Sequence, residues 1–334
     1  MGALRGVHPF DAEGDRTASS VGDPVVGGDR SYQQTLKNAI HCSGVGLHSG
    51  AKIAMTLKPG SADSGIVFRR RDLNGAPTVR ATYTNGQETP LCTTVAAGEV
   101  KVATIEHLMS ALAACGVDNA EIELDGPEVP IMDGSAAPFV FLVECAGIEV
   151  QEAPRRAICI LKTVEIDEGG RHASLSPARR FWIDFEIDFD SEVVSRQAWS
   201  GGINNQQFKS DLARARTFGF LQEVDHLRRN GLARGGSLDN AVVIDGNGVM
   251  NEGGLRFEDE FVRHKVLDSI GDLYLAGAPI LGRFTGHKTG HAMNLRLLRA
   301  LFADESAWCW VELARADRAP GASVPPARAV AARA

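Results

Sequence analysis

The sequence contains no run of about 18 apolar residues, the length a membrane-crossing helix requires, so no transmembrane segment is expected. Its opening, MGALRGVHPFDAEGDRTASSVGDPVVGGDR, lacks the continuous apolar stretch of a secretory signal, and the chain reads as cytoplasmic, with any membrane contact peripheral. No C-x-x-C pair occurs among Cys42, Cys92, Cys115, Cys145, Cys159 and Cys309, and a chain of 334 residues is too large to need disulfide staples. The cysteines therefore read as reduced thiols. Basic residues are in deficit, 35 Lys and Arg against 42 Asp and Glu, for a net charge of -7. That balance disfavours nucleic acid as a partner and points to a small-molecule ligand, with local basic contacts to a substrate phosphate still open. The regular β-α-β rhythm of a doubly wound sheet is missing as well, which leaves an α+β architecture.

What is present is a hydrophobic content of 44%, enough for a substantial core, in a length that suggests two domains. Residues 1–30, rich in Gly, Asp and Ser without periodicity, read as a disordered N-terminal extension, and 315–334, an Ala, Pro and Arg tail, as a flexible end. The EAPRRA segment around Pro154 divides an N-terminal α+β domain, 31–153, from a C-terminal one, 154–314. AKIAMTLKP and GIVFRRRDL read as strands, and VKVATIEHLMSALAACGVDN as a strand entering a helix with Thr104 as its cap. FWIDFEIDF alternates Phe181, Ile183, Phe185, Ile187 and Phe189 with Asp184, Glu186 and Asp188, the pattern of a half-buried antiparallel strand. No internal sequence repeat is visible.

The chemistry begins in FVRHKVLDSIGDLYLAG. At about 100° per residue, His264, Lys265, Asp268 and Asp272 fall on one side of a helix, and Val262, Val266, Leu267, Ile270, Leu273 and Tyr274 on the other. An ordinary surface helix also has a polar face, but it is made of Glu, Lys and Gln. Here His264 and Asp268, one turn apart, bring an imidazole nitrogen and a carboxylate oxygen within reach of one cation. In ATIEHL, His107 could bind a metal while Glu106 leans over the remaining ligand position and acts on a water; taken alone, the dipeptide reads more readily as an exposed first-turn acid beside a partly buried histidine. It is not H-E-x-x-H, because Ala111 stands where the second histidine would be. Two histidines and one carboxylate nevertheless match the inventory of a catalytic zinc, whose three protein ligands leave one position open. GHKTGH adds His287 and His291 beside Gly286 and Gly290, either free to approach a ligand or simply bonded to loop backbone.

Together GVGLHSG, LCTTV, ATIEHL, PEVPIMDGSAAPFV, ARTFGF, NEGGLRFEDEFVRHKVLDSIGDLYLAG and GHKTGH, in that order, resemble the motifs of the zinc-dependent UDP-3-O-acyl-N-acetylglucosamine deacetylases of lipid A biosynthesis. The run from Asn251 to Gly277 is the longest and most specific of them. The resemblance implies two α+β domains of similar topology packed face to face, each with an inserted subdomain, and an active site in the cleft between them. It implies one catalytic Zn2+ on His107, His264 and Asp268, Glu106 as general base, and His291 as general acid or electrostatic stabiliser, oriented and charged by Asp272. Thr217 would stabilise the oxyanion, and Lys265, His48 and Cys92 would line the substrate site. Phe220, Val224, Leu232 and Leu238 of the second insert would line an acyl-chain tunnel, although a hydrophobic helix-and-hairpin core leaves the same pattern.

The implied reaction is hydrolysis of the N-acetyl group of UDP-3-O-[(3R)-hydroxyacyl]-N-acetylglucosamine to acetate and the free amine. Thr289 departs from the Ser or Ala expected in GHKTGH, without consequence for the glycines or His291. A zinc amidohydrolase for another acetylated sugar, or a non-catalytic nucleotide-sugar module with a structural metal, would account for some of the same residues.

Overall fold

The computed structural model describes residues 31–89 and 91–313, so both terminal segments expected from composition lie outside the described residues. Alternation of apolar and polar residues builds the strands. In Lys52–Pro59, Ile53, Met55 and Leu57 are buried between exposed or half-buried neighbours. In Trp182–Asp188, Ile183, Phe185 and Ile187 are buried, while Asp184 and Glu186 on the other face pair with Arg283 and Arg196. This strand is antiparallel to Arg196–Gly202, as expected, but parallel to Arg283–His287 on its other side. The long intervening chain supplies the crossover that a parallel pairing needs.

Two five-stranded sheets share one topology. The first runs Ile40–Val45, Lys52–Pro59, Ala120–Leu124, Ile66–Arg70, Thr78–Arg80. The second runs Val164–Glu168, Arg171–Ser176, Arg283–His287, Trp182–Asp188, Arg196–Gly202. In both, all neighbours are antiparallel except the third and fourth strands in this order.

The helices are α1 (Glu106–Cys115), α2 (Ala137–Ala146), α3 (Asn205–Gln207), α4 (Leu221–Arg229), α5 (Glu260–Leu273) and α6 (His291–Ala303). Helices α1 and α5 occupy equivalent places in the chain, each just before the strand at the centre of its sheet, with α2 and α6 following that strand. Each half also carries an insertion before its central helix. One is the three-stranded sheet of Gly86–Gln87, Thr94–Ala97 and Val100–Val102; the other joins Phe218–Phe220, Val242–Asp245 and Gly248–Val249, with α4 beside them. The repeat absent from the sequence is thus present in the topology, because strand order depends on the apolar pattern and not on residue identity.

Tyr32–Leu36 pairs with Ile148–Pro154, and the next strand, Arg156–Ile160, pairs with Ile280–Leu281 and Trp308–Glu312. Arg155 lies at that passage, held to Asp118 at 2.9 Å. Among the described residues no helix is long and apolar enough to cross a membrane.

One local expectation is corrected. Thr104 does not cap α1: it has a φ of 55°, and its hydroxyl donates to Glu128 Oε1 at 2.8 Å. The polar face of helix α5 does not meet solvent as that of an ordinary surface helix does, since apart from Arg263 and Lys265 every residue from Glu260 to Leu273 is buried. Its polar side is covered by α1 and α6, and that is what concentrates the chemistry.

Candidate active site

Helices α1 and α5 pack closely, and at their meeting the ligand atoms of His107, His264 and Asp268 lie within 4.8 Å of one another. His264 donates Nδ1–H to the Ala215 carbonyl at 3.0 Å, which fixes its tautomer and leaves the Nε2 lone pair facing Asp268 Oδ1 at 3.3 Å. His107 Nε2 stands 3.5 Å from the same oxygen, and the two imidazole rings meet edge to face at 4.9 Å. Burial pushes His264 down to about 3, so its imidazole is neutral, the form that can bind a metal. Burial works against the charge of Asp268, but the Lys265 ammonium, 2.8 Å from Oδ2, holds its carboxyl well below the usual carboxylate range.

Asp268 Oδ1 is buried without a hydrogen-bond donor, although it is an acceptor with imidazole nitrogens around it. An orphaned carboxylate oxygen is costly unless something positive meets it. A cation would do so here, and two imidazoles with one carboxylate suit a borderline metal and would leave a coordination position open.

Glu106 and His291 flank this cluster. Burial pushes the Glu106 carboxyl up, and its Oε2 accepts the backbone N–H of Thr93 at 2.9 Å. His291 faces Asp272, with Nδ1 at 3.0 Å from Oδ2, while its Nε2 is 4.0 Å from Asp268 Oδ2. Burial works against its charge, but Asp272 outweighs it and lifts the imidazole to about 9. A buried carboxyl and a charged imidazole beside a cluster that could hold a metal are parts from which a hydrolytic site can be built.

Residues 33–303 match the sequence model of the UDP-3-O-acyl N-acetylglycosamine deacetylase family. The chain belongs to this deacetylase family. It is 50% identical over 300 residues to the UDP-3-O-acyl-N-acetylglucosamine deacetylase of Pseudomonas entomophila, covering 89% of this chain and 99% of that one. It is 53% identical over 290 residues to the protein of the same name from Acidithiobacillus ferrooxidans, covering 86% and 95%.

Other expected residues of the deacetylase surround this centre at varying distance. Lys265 does not stand free, because its Nζ bonds Asp268 Oδ2 at 2.8 Å. His48 lies in a loop whose backbone is gripped by Glu128: Oε1 accepts His48 N–H and Oε2 accepts Ser49 N–H, both at 2.9 Å. Burial keeps the His48 imidazole low, and its Nε2 has no partner among the described residues. Cys92 is buried 3.6 Å from the Thr94 hydroxyl, and burial raises its thiol to about 11, which leaves it un-ionised. Thr217 is half-buried, its backbone N–H donating to Gly134 at 2.8 Å. Gly134, at φ +83°, faces the Asn240 carbonyl so closely that a Cβ would stand 2.1 Å from the oxygen. Phe220 packs against Phe189, Val224 and Leu232 are half-buried, and Leu238 is 45% exposed, so this last residue lines no closed tunnel.

His287 pairs with Glu186 at 3.1 Å, away from the centre. Gly286 lies against Phe185 and Thr289, where a Cβ would be 2.8 Å from each, so this glycine serves packing and not ligand approach. Thr289 is not idle: its hydroxyl donates to Asn294 Oδ1 at 3.0 Å, and Asn294 Nδ2 donates to Asp272 Oδ2 at 2.8 Å. Thr93, Glu128 and Asn294 escape a motif-by-motif reading, since their partners are far away in sequence. The signal available for Thr93 and Glu128 was their presence inside LCTTV and PEVPIMDG.

Proposed function

We propose that the chain hydrolyses the N-acetyl group of UDP-3-O-[(3R)-hydroxyacyl]-N-acetylglucosamine to UDP-3-O-acyl-glucosamine and acetate, an early step of lipid A biosynthesis, in the cytoplasm. One Zn2+ per chain, on His107, His264 and Asp268, serves the reaction. The observation that carries this reading is the meeting of one ligand atom each of His107, His264 and Asp268 within 4.8 Å, where Asp268 Oδ1 has no hydrogen-bond partner, with Glu106 and His291 alongside. Membership in a deacetylase family, with relatives named UDP-3-O-acyl-N-acetylglucosamine deacetylase, supports the same chemistry.

An acetamide is a poor electrophile and water a poor nucleophile. When bound, zinc supplies Lewis acidity that activates the water and polarises the carbonyl. Glu106, as carboxylate, takes the proton of the attacking water. His291, cationic through Asp272, stabilises the negative charge that builds on the acetyl oxygen, and Thr217 adds a donor to it. A proton, either from His291 or the one held on Glu106, passes to the sugar nitrogen as its bond to the acetyl carbon breaks. Lys265 holds Asp268 by its second oxygen, orienting the ligand. Lys265, His48 and Cys92 border the substrate, and the apolar side chains of the second insert, Phe220, Val224 and Leu232 with Leu238 at the surface, receive the acyl chain.

The test is acetate release from the acylated UDP-sugar, with and without a chelator. Release that the chelator abolishes and added zinc restores is expected; equal turnover of a nucleotide sugar lacking the 3-O-acyl chain would refute the substrate assignment.

A further inference from the structure

We propose that Thr93 is the positioning residue that sets the base and the charged imidazole of this site relative to each other. The proposal rests on the deacetylase reading above. Thr93 immediately precedes the strand Thr94–Ala97 in the first insertion and is 6% exposed. Its carbonyl accepts the N–H of Ile105, the residue before Glu106, at 3.3 Å, and its own N–H donates to Glu106 Oε2 at 2.9 Å. Its hydroxyl bonds Asp272 Oδ1 and lies 3.1 Å from His291 Nδ1. One residue thus touches α1, α5 and α6, drawn from both halves of the fold.

Proton inventory fixes the direction of these bonds. An ionised aspartate only accepts, so the Thr93 hydroxyl gives its single proton to Asp272 and keeps a lone pair toward His291 Nδ1–H. With Nδ1–H committed to Asp272 and Thr93, the other ring nitrogen, Nε2, points to the Asp268 side of the centre. The β-branched side chain has few χ1 choices, so the hydroxyl is held in that direction without a further partner. An ordinary buried threonine would satisfy its hydroxyl at a nearby carbonyl. This one reaches His291 and the aspartate that charges it, while the backbone N–H of the same residue holds Glu106.

The test compares Thr93→Val, which keeps the backbone N–H and the shape but removes the hydroxyl, with Thr93→Ser, which keeps the hydroxyl. Valine is expected to lower kcat by roughly ten- to a hundredfold, the scale of a mispositioned catalytic group, with KM and zinc content near wild type. Serine is expected to restore most of the loss. In a Thr93→Val/Asp272→Asn double variant, the valine should add little to the loss from Asp272→Asn alone. If the valine variant melts early, Thr93→Ala serves in its place with the same expectation.

A wild-type kcat in these hydroxyl-free variants would overturn the proposal, as would a loss shared equally by serine or one explained by lost zinc. Failure of the wild-type enzyme to release acetate would instead overturn the deacetylase reading. Active wild type, inactive Glu106→Gln and unaffected Thr93→Val would remove only the role of Thr93.

Discussion

Gly271 of α5 and Glu106 of α1 meet backbone to backbone, so closely that a Cβ at Gly271 would stand 2.1 Å from the Glu106 carbonyl oxygen. That approach lets His107 on one helix and His264 and Asp268 on the other share a point. Even one methyl group must part the helices. Gly271→Ala is expected to destabilise by about 1–3 kcal/mol through overpacking and to lower activity at least about tenfold by spreading the ligands. Thermal melting and steady-state kinetics check this; wild-type values in both would show that the helices can separate without consequence.

His264→Ala removes one of the three side chains proposed to hold zinc. Zinc content is expected to fall from one per chain to near none, and activity with it. Full zinc occupancy in this variant, measured by metal analysis, would exclude His264 as a ligand.

The pH dependence follows from Glu106 and His291. Burial pushes the Glu106 carboxyl up, so kcat/KM should rise with pH as it ionises, and fall again as His291 loses its proton near about 9. Glu106→Gln should retain zinc, lose about 10² to 10⁴ in rate and flatten the acid limb. His291→Gln should alter the alkaline limb; an unchanged limb there would assign it to another group.

The same imidazole links stability to pH. Its folded pKa, about 9, lies above its ordinary value of 6.5, so the contribution of the His291–Asp272 pair is complete below about pH 6.5 and is lost as pH rises through about 9. Denaturation midpoints of wild type and His291→Gln should therefore differ most at acid and neutral pH and converge above about 9. A constant difference across that range would refute the linkage.

Glu260 is fully buried at the start of α5, where it takes Arg216 Nε at 2.8 Å and the Arg256 N–H at 2.6 Å. Burial opposes its charge, but the Arg216 guanidinium and the backbone donors bring its carboxyl below the usual range. Glu260→Gln leaves Arg216 buried without its counter-charge and should cost about 3–5 kcal/mol in chemical denaturation. Because Arg216 precedes Thr217 and Ala215 anchors His264, activity should fall as well. A loss below about 1 kcal/mol would mean that water reaches the guanidinium.

The α+β class, the strands at Lys52–Pro59 and Trp182–Asp188 and the helices carrying Glu106 and His264 were legible in the sequence because each rests on a local period. His264 and Asp268 were legible as a pair because one turn of helix places them together. What tertiary structure alone decided is everything that depends on contact between distant segments. The duplicated sheet topology has no sequence period; His107 joins the pair only where Gly271 admits α1; and the polar face of α5 is buried only because α1 and α6 cover it. Thr104 has the identity of a cap, whose side-chain oxygen would accept a helix N–H, but its backbone is left-handed at φ 55° and its hydroxyl donates to Glu128 Oε1 instead. Thr93, Asn294 and Thr289 matter through hydrogen bonds across many residues, and no local pattern encodes the partner of a hydroxyl or an amide. Residue chemistry determined which groups could act, and packing decided which of them meet.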